Sequence, residues 1–391
     1  MKRLRTGLLI ILTCFASIAW PQAGPRGTKD KIITFDVPGA GTAAGQGTFA
    51  YNIVEGDWVA GDYVDSHWVY HGFLRAPDGK ITKFDVPGMG TSAGQGTIEI
   101  FGLTPSLEIV GSYADENNAY HGFKRDFFGR VSTINCPGAG PGGTAAESVN
   151  PAGMISAMFL DVNGAWHGCI VYPDGTFVDY DPPDAGIASA QGTYATPLTA
   201  GINTEGEIVG EYLDSNYVFH GYLRRPNGEI TEYSNPGASS AIPGDWQGTQ
   251  ALGIDPAGEI WGEYYGADYV YHGYLRSRDG SFTEIDVPSA GTGTFQGTDA
   301  CWPITCFGGM NPAGTVTQSY LDNKYTYHGF LRTRDGEIIK FDAPNAGTGA
   351  WQGTQPASIN PEGTITGYYT DANNVVHGFV RRADDEKGGL Q

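Results

Sequence analysis

Residues 70–88 read YHGFLRAPDGKITKFDVPG, and close copies of this segment recur along the chain. Asp78 and Gly79 stand between two short runs rich in apolar and β-branched residues, which favours a tight hairpin turn. The second run ends at Pro87, and proline is confined to edges or ends of strands because it has no N–H for the ladder. The stretch therefore predicts two antiparallel strands, the second of them at an outer edge.

A His-Gly-aromatic step marks every copy, with Cys169 replacing the aromatic residue in the third. Successive histidines are 50, 46, 53, 52, 56 and 49 residues apart. Self-similarity at such a period predicts a repeat architecture built from one supersecondary unit. The seven histidines are His71, His121, His167, His220, His272, His328 and His377.

Two further strands precede each histidine. The first follows a Gln-Gly-Thr step in most copies and ends at a Pro-x-Gly turn, as Thr354 to Asn360 does before Pro361. It contains small residues such as Ala357, which suit an innermost strand crowded around an axis. The second strand ends in an Asp in every copy but the fifth, always at the same distance before the histidine. A constant offset indicates one hairpin geometry used repeatedly.

The two ends of the chain carry complementary parts of one repeat. The chain begins with a fourth strand, Lys31 to Val37, and finishes with a third strand, His377 to Arg381. We therefore predict an all-β fold over residues 31–382, a seven-bladed β-propeller with four antiparallel strands per blade, whose N-terminal strand completes the last blade. The alternatives are a β-solenoid, which would need polar capping repeats, and paired β domains. Residues 383–391 are predicted to be a disordered tail.

The N-terminus has the features of an export signal. A basic start at residues 2–5 precedes an apolar run over residues 7–18, and small residues follow up to Ala19. We predict a signal peptide over residues 1–19, cleaved near Ala19, then a linker over residues 20–30, and a secreted or periplasmic protein. The apolar run is too short to span a bilayer comfortably. The alternatives are a membrane anchor and lipidation of Cys14.

The charge of the chain limits its partners. It has 43 acidic and 23 basic residues, for a formal net charge of −20 at pH 7. A field of this sign repels phosphate backbones and anionic lipids, so nucleic acid and anionic membranes are excluded as partners. We expect a soluble monomer outside the cell, without a membrane span.

Four cysteines lie beyond the predicted signal peptide. Cys301 and Cys306 are predicted to form a disulfide within a local insertion, since an exported protein meets an oxidising compartment. Cys136 and Cys169 each replace a repeat residue. They either pair or remain buried as small hydrophobic side chains, and the separation of their Cα atoms decides between the two.

The repeated string Tyr-x-Asp, His-Gly-Phe-Leu-Arg, Asp-Gly and Phe-Asp-x-Pro-Gly-Ala resembles the HAF-type extracellular repeat of bacterial proteins. The match covers nearly all of residues 31–382. The third copy departs most, with Asn135 and Cys136 in place of Asp and Val and no Gln-Gly-Thr step. The resemblance implies a bacterial, exported repeat protein, and it transfers no catalytic residue.

Each repeat histidine is assigned a structural role. Histidines on different blades lie too far apart to share one ion at about 2.1 Å, and a neutral imidazole can instead bridge backbone or hydroxyl groups. The Asp before each hairpin is expected to close an Asx turn rather than to bind Ca²⁺, because calcium loops cluster several oxygens. No metal and no cofactor are expected.

Candidate ligand-binding residues lie where the repeats become irregular or where loops join the blades. Trp246 and Trp302 stand in longer loops, and aromatic side chains on a propeller face stack on sugars or anchor a protein partner. Gln247, Gln296 and Gln352 belong to the Gln-Gly-Thr steps, where a ring of amides would hydrogen-bond a polar ligand such as a glycan. The alternative is structural, with aromatics covering interblade seams and the Gln-Gly-Thr step securing each strand start.

Glu211 and Glu263, on the second strands of neighbouring blades, are the candidate catalytic residues, because two carboxylates about 5–9 Å apart can cleave a glycoside. The alternative is two solvated or strand-paired carboxylates. The sequence favours a non-catalytic secreted binding scaffold for a polysaccharide or a cell-surface protein, bound on the face of the interblade loops and Asp-headed hairpins. A carbohydrate-active hydrolase or lyase and a structural envelope or matrix protein are the alternatives.

Overall fold

The computed structural model describes residues 31–195, 201–240, 247–298 and 307–382. Within these residues the regular elements are β-strands, and 29 of them join in one hydrogen-bonded sheet. The prediction of an all-β fold is confirmed. This part of the chain contains no helix long and apolar enough to cross a membrane. The predicted signal peptide, linker and C-terminal tail lie outside the described residues.

Each sequence repeat folds into the same antiparallel meander, called a unit from here on. The first strands are β2 (Gly47–Val54), β6 (Gly96–Leu103), β10 (Thr144–Val149), β14 (Gly192–Ala195), β18 (Gly248–Ile254), β22 (Gln296–Thr298) with β23 (Gly308–Met310), and β27 (Gly353–Ile359). The second strands are β3 (Trp58–Val64), β7 (Ile109–Ala114), β11 (Ile155–Leu160), β15 (Ile208–Leu213), β19 (Ile260–Tyr265), β24 (Val316–Leu321) and β28 (Ile365–Thr370).

The outer half of each unit is a second hairpin. The third strands are β4 (Tyr70–Arg75), β8 (Tyr120–Arg125), β12 (Trp166–Val171), β16 (Phe219–Arg224), β20 (Val270–Arg276), β25 (Tyr327–Arg332) and β29 (Val376–Arg382). The fourth strands are β5 (Ile81–Phe84), β9 (Val131–Ile134), β13 (Phe177–Tyr180), β17 (Ile230–Tyr233), β21 (Phe282–Ile285), β26 (Ile338–Phe341) and β1 (Lys31–Phe35). Each strand pairs antiparallel with the next within its unit, as β2 to β5 do.

Unit 7 takes its fourth strand from the other end of the chain. β1 pairs antiparallel with β29, from Lys31 opposite Arg382 to Phe35 opposite Gly378. The Phe35 ring also meets Phe73 of unit 1 edge-on, with the centroids 6.0 Å apart. The pairing of the two chain ends that the sequence predicts is therefore present, and it joins unit 7 to unit 1.

The glycine of each Gln-Gly-Thr step lies where one unit meets the next. Gly96 bridges to Tyr70 of the preceding third strand, with a φ of +123° that L side chains rarely adopt. A Cβ added there would stand 2.1 Å from the Tyr70 carbonyl oxygen. Any other residue would therefore push neighbouring units apart, which explains why glycine recurs at this position.

The threonine of the same step closes the loop between units. Thr354 Oγ1 accepts the N–H of Ala343 at 2.9 Å, at the end of the preceding fourth strand. The same hydrogen bond recurs at 2.8–2.9 Å in units 1, 2, 3, 5 and 6. The sequence-based expectation that this threonine satisfies a backbone donor is confirmed.

Replacing Thr354 by Val is expected to lower the free energy of unfolding by about 1–3 kcal/mol, because the buried Ala343 N–H loses its acceptor while the side-chain volume is kept. Thermal denaturation followed by circular dichroism measures the change. Thr82→Val, on an exposed position of β5, is the control and should stay within about 0.5 kcal/mol of wild type. Equal stability of Thr354→Val and wild type would contradict the assigned role.

The first strands of neighbouring units contact one another in the interior. Aromatic side chains from several units meet there, and Tyr51 of unit 1 lies 5.3 Å from Phe101 of unit 2 and 5.1 Å from Phe307 of unit 6, between ring centroids. Tyr368 of unit 7 packs edge-on against Phe307 at 5.5 Å. This aromatic cluster joins units that are distant in sequence.

Several first strands contain a β-bulge, for instance between Ala50 and Asn52 and between Ala146 and Ser148. Second strands supply side chains to such irregular backbone in the next unit. Asp62 Oδ2 accepts the N–H of Glu99 at 3.0 Å in the next unit. The side chain of Asp62 therefore faces the neighbouring unit.

Cys136 and Cys169 form a disulfide between units 2 and 3, with a Cα–Cα separation of 6.6 Å. Cys136 follows the fourth strand β9 of unit 2 and Cys169 lies on β12, so the bond joins two units. Both are buried within one apolar cluster. Of the two alternatives that the sequence left open, the structure shows the paired one, while Cys301 and Cys306 lie outside the described residues.

Candidate functional site

The seven repeat histidines share one environment. In each unit the imidazole Nδ1 lies 2.7–3.1 Å from a polar side chain just after the fourth strand. Antiparallel pairing of the third and fourth strands places these two positions side by side. The pairs are His71 with Asp85, His121 with Asn135, His167 with Asp181, His220 with Ser234, His272 with Asp286, His328 with Asp342 and His377 with Asp36.

Each ring has a second acidic neighbour and an aromatic one. The Nε2 atom lies 3.6–3.8 Å from an Asp carboxylate of the hairpin between second and third strands. A Tyr or Phe of the second strand stacks on the ring at 4.9–5.1 Å. The histidine partners are thus mostly carboxylates and not the backbone or hydroxyl groups expected from the sequence. The hydrogen bond with Asp85 raises the pKa of His71.

The hairpin aspartates close Asx turns, as predicted. Asp65 Oδ1 accepts the N–H groups of His67 and Val69 at 2.8 and 3.0 Å. The same pair of bonds forms at Asp115, where the Ala119 N–H is the main cause that lowers the pKa of the carboxyl. These carboxylates stay ionised near neutral pH and give the face that carries them a negative surface.

An open groove of about 520 Å³ lies on this face at unit 4. The unit-4 groove is lined by Asp184, Tyr212, Asp214, Ser215, His220, Glu232, Tyr233 and Ser234. Its walls come from the Asp-headed hairpin, the start of the third strand, the end of the fourth strand and the loop that leads in from unit 3. The hairpin and the loop between units are the two elements that the sequence predicted to form the ligand face.

The identity of one fourth-strand residue distinguishes this groove from the corresponding places in units 1 and 6, whereas unit 5 also has a glutamate, Glu284, at that position. In unit 1 that residue is Lys83, whose Nζ donates to the Pro38 carbonyl at 2.8 Å and lies 5.6 Å from the Tyr63 ring centroid. In unit 6 it is Lys340, which donates to Ser289 at 3.0 Å. A lysine thus crosses the space that stays open beside Glu232.

The unit-4 groove offers several hydrogen-bond acceptors beside aromatic surface. Glu232 Oε1 accepts the Asp184 N–H at 2.9 Å, which holds the loop against the fourth strand. Burial and nearby carboxylates raise the pKa of Tyr212, so its hydroxyl is a neutral donor. Burial alone would raise the pKa of Asp214, yet hydrogen bonds from Val218 and Asn216 hold it below its usual value. Carboxylates and a phenol so arranged are suited to bind hydroxyl groups.

The two candidate catalytic carboxylates lie elsewhere. Glu211 is opposite Tyr194 and Gly221 in the sheet and is only 7% exposed. Glu263 on β19 is fully buried. Burial raises the pKa of Glu211 to about 8. Both side chains lie in the interior, so neither lines the open groove.

The glutamines predicted to bind ligand sit at the base of the same face. Gln296 Oε1 accepts the Gly293 N–H at 2.9 Å, and Gln352 Oε1 accepts the Gly349 N–H at 2.9 Å. Gln352 also donates to Asn374 of its own hairpin. Gln247 is 1% exposed. Gln296 and Gln352 thus hold the loops between units, whereas Trp246 and Trp302 lie outside the described residues.

A second depression, of about 650 Å³, lies at the opposite ends of the strands in unit 2. Phe127 and Phe128 border it and are 60% and 79% exposed. Arg130 stands over the Phe128 ring at 5.5 Å, and Lys124 pairs with Glu108 at 2.9 Å. Two adjacent exposed phenylalanines form a small apolar patch with a charged rim.

No protein-family model and no curated protein sequence matches this chain. Among solved structures it is similar to puromycin hydrolase (12% identity, TM-score 0.48), covering 85% of this chain and 53% of that one. It is also similar to an ancestral GH74 enzyme (12%, 0.47, 92% and 52%) and to a lectin from Burkholderia pseudomallei (12%, 0.46, 75% and 83%). The chain thus spans about half the length of the two enzymes.

Proposed function

We propose that the chain is a seven-bladed β-propeller of the HAF-type extracellular repeat class, with one four-stranded blade for each unit. The pairing of β1 with β29 supports a closed ring, because it gives unit 7 its fourth strand. The contacts between first strands of neighbouring units support their position around a central axis. The face of the Asp-headed hairpins is then one rim of the ring.

We propose that this propeller is an exported, non-catalytic scaffold that binds a polysaccharide at this rim. The unit-4 groove is the observation that carries the proposal. Sugar hydroxyls are bound by carboxylates that accept two neighbouring O–H groups, and by phenol and imidazole groups that donate or accept. Asp214, Glu232, Tyr212 and His220 provide these groups in one open groove large enough for one or two sugar rings.

The charge of the protein selects among polysaccharides. A net charge of −20 and the carboxylates of the groove repel uronic acids, sulfates and phosphates. A neutral or amino-sugar polymer is therefore the ligand class that fits.

Other readings of the chain have less support. A hydrolase or lyase would use Glu211 and Glu263, which lie in the interior away from a polymer. A cell-surface protein partner is favoured by the apolar patch of Phe127 and Phe128 at the opposite ends of the strands. A purely structural role in an envelope or matrix has no specific observation in its favour.

Replacing Glu232 by Lys tests the proposal, because it gives unit 4 the residue found in units 1 and 6. A glycan array on the wild-type protein first identifies a neutral or amino-sugar ligand, and a soluble oligosaccharide of that ligand is then titrated. Loss of a charge-assisted hydrogen bond and occupation of the groove are expected to lower the affinity about tenfold or more.

The matched control is Glu229→Lys, which makes the same charge change at an exposed site on the opposite ends of the strands. It should leave the affinity unchanged. Absence of any glycan ligand, or an equal loss of affinity in both variants, would reject the groove as the binding site.

A further inference from the structure

Three potential metal ligands converge in unit 5. They are His272 on β20, Glu284 on β21 and Asp286 just after it, and one ligand atom from each lies within 4.8 Å of the others. His272 Nδ1 is 3.1 and 3.0 Å from the two oxygens of Asp286. This is the one group of three such residues in the described part of the chain.

The strand register explains the convergence. Gly273 pairs with Ile285 and Tyr274 with Glu284, so His272 comes to lie opposite Asp286. Residues two apart on a strand point to the same face, which puts Glu284 beside Asp286. All three side chains therefore stand on one face of one hairpin, without help from any other unit.

Neighbouring groups hold these side chains in place. The Tyr264 hydroxyl donates to Glu284 Oε2 at 3.0 Å, and its ring stacks on His272 at 4.9 Å with an angle of 16°. On the other side of the imidazole, Asp268 Oδ2 lies 3.7 Å from Nε2. With a metal ion on Nδ1, the ring proton would lie on Nε2 and face this carboxylate.

We propose that unit 5 binds a divalent transition-metal ion, Zn²⁺ above all, through His272 Nδ1, Glu284 and Asp286. Bonds of about 2.0–2.2 Å in a tetrahedron place ligand atoms roughly 3.3–3.6 Å apart, which small rotamer changes reach from the present separations. One imidazole and two carboxylates are a ligand set suited to Zn²⁺. The groups are partly exposed, so water completes the fourth position.

Each of the other units lacks at least one part of this arrangement. Unit 6 has Lys340 in place of Glu284, and unit 4 has Ser234 in place of Asp286. Unit 3 has an acidic residue at both positions, but the residue that stacks on its histidine is Phe159, whereas unit 5 has Tyr264 there. Phe159 has no hydroxyl that could hold the residue equivalent to Glu284 toward the imidazole. The site is thus a property of one unit and independent of the glycan groove.

Isothermal titration of Zn²⁺ into the full protein is expected to show one site. Glu284→Lys, which copies unit 6, should weaken that site on the order of 100-fold. Circular dichroism of the metal-free variant shows whether it is folded, and Glu284→Gln replaces it if it is not. Co²⁺ in place of Zn²⁺ gives a visible spectrum that reports the ligand geometry.

A gain-of-site variant makes the test sharper. Ser234→Asp gives unit 4 the missing ligand, next to His220 and Glu232, and should raise the stoichiometry from one Zn²⁺ to two. Ser281→Asp, on the exposed turn that follows β20, adds the same charge away from the cluster and should leave the stoichiometry at one. Wild-type binding no tighter than that of the folded Glu284 variant overturns the proposal, as does a second site in the Ser281 variant only.

Discussion

Deleting residues 31–37 is expected to abolish the cooperative thermal transition of this protein. The deletion removes β1, which pairs with β29 over five residue positions, and the buried Val37. It also uncovers Phe379 and Val380, which are fully buried in the intact fold. Lost ladder hydrogen bonds and apolar burial amount to about 5–10 kcal/mol, which is comparable to the stability of a whole domain at about 5–15 kcal/mol.

Moving the same strand to the other end of the chain is the control for this deletion. In the other units a short turn joins the third strand to the fourth, as Thr333 to Glu337 does between β25 and β26. A permutant that begins at Ala40 and carries this turn and residues 31–39 after Arg382 restores the pairing with β29. Of the two variants, only the permutant should show a cooperative transition in calorimetry. Cooperative unfolding of the deletion variant at the wild-type temperature would show that ring closure is dispensable.

The hairpins of the fold could be predicted from the sequence because their determinants are local. The offset between hairpin aspartate and histidine and the Asp-Gly turns fix the register of neighbouring strands. The pairing of β1 with β29 followed from counting strands, although the two lie at opposite ends of the chain. The β-bulges of the first strands could not be predicted, because side chains of another unit accept hydrogen bonds from their backbone. Asp62, for example, accepts the N–H of Glu99.

The candidate sites were harder to predict than the fold. Both use pairs of residues on adjacent strands, such as His220 with Ser234 and His272 with Asp286. The signal was present in the sequence, since in the first six repeats the histidine and its partner are fourteen residues apart. A comparison of histidines between units alone does not show that Glu232 and Glu284 stand near an imidazole within one hairpin.

Buried carboxylates make the stability of this protein sensitive to pH. Glu211 is 7% exposed, and its Oε2 atom has no hydrogen-bond partner among the described residues. Burial raises its pKa from an ordinary value of 4.5 to about 8. Burial likewise raises the pKa of Glu99 to about 7, and burial with the nearby charges of Glu99 and Glu211 raises that of Glu147. The folded state thus keeps protons that the unfolded chain releases.

The direction of the effect follows from proton linkage. Between the unfolded pKa of Glu211 near 4.5 and its folded pKa of about 8, the native state binds more protons than the unfolded state. Stability therefore falls as the pH rises through this window and levels off above it. Each unit of pKa difference corresponds to about 1.4 kcal/mol, so Glu211 alone accounts for a loss of several kcal/mol.

Glu211→Gln is expected to make the protein more stable than wild type at pH 9, by a few kcal/mol, and to reduce the fall in stability between pH 5 and pH 9. Gln has nearly the same shape but cannot ionise, so the cost of a buried charge disappears. Urea unfolding at several pH values measures the slope. Glu229→Gln, at an exposed position, should keep the wild-type slope. A Glu211→Gln variant that is less stable than wild type at pH 9 would mean that the Glu211 carboxylate is ionised and stabilised in the folded protein.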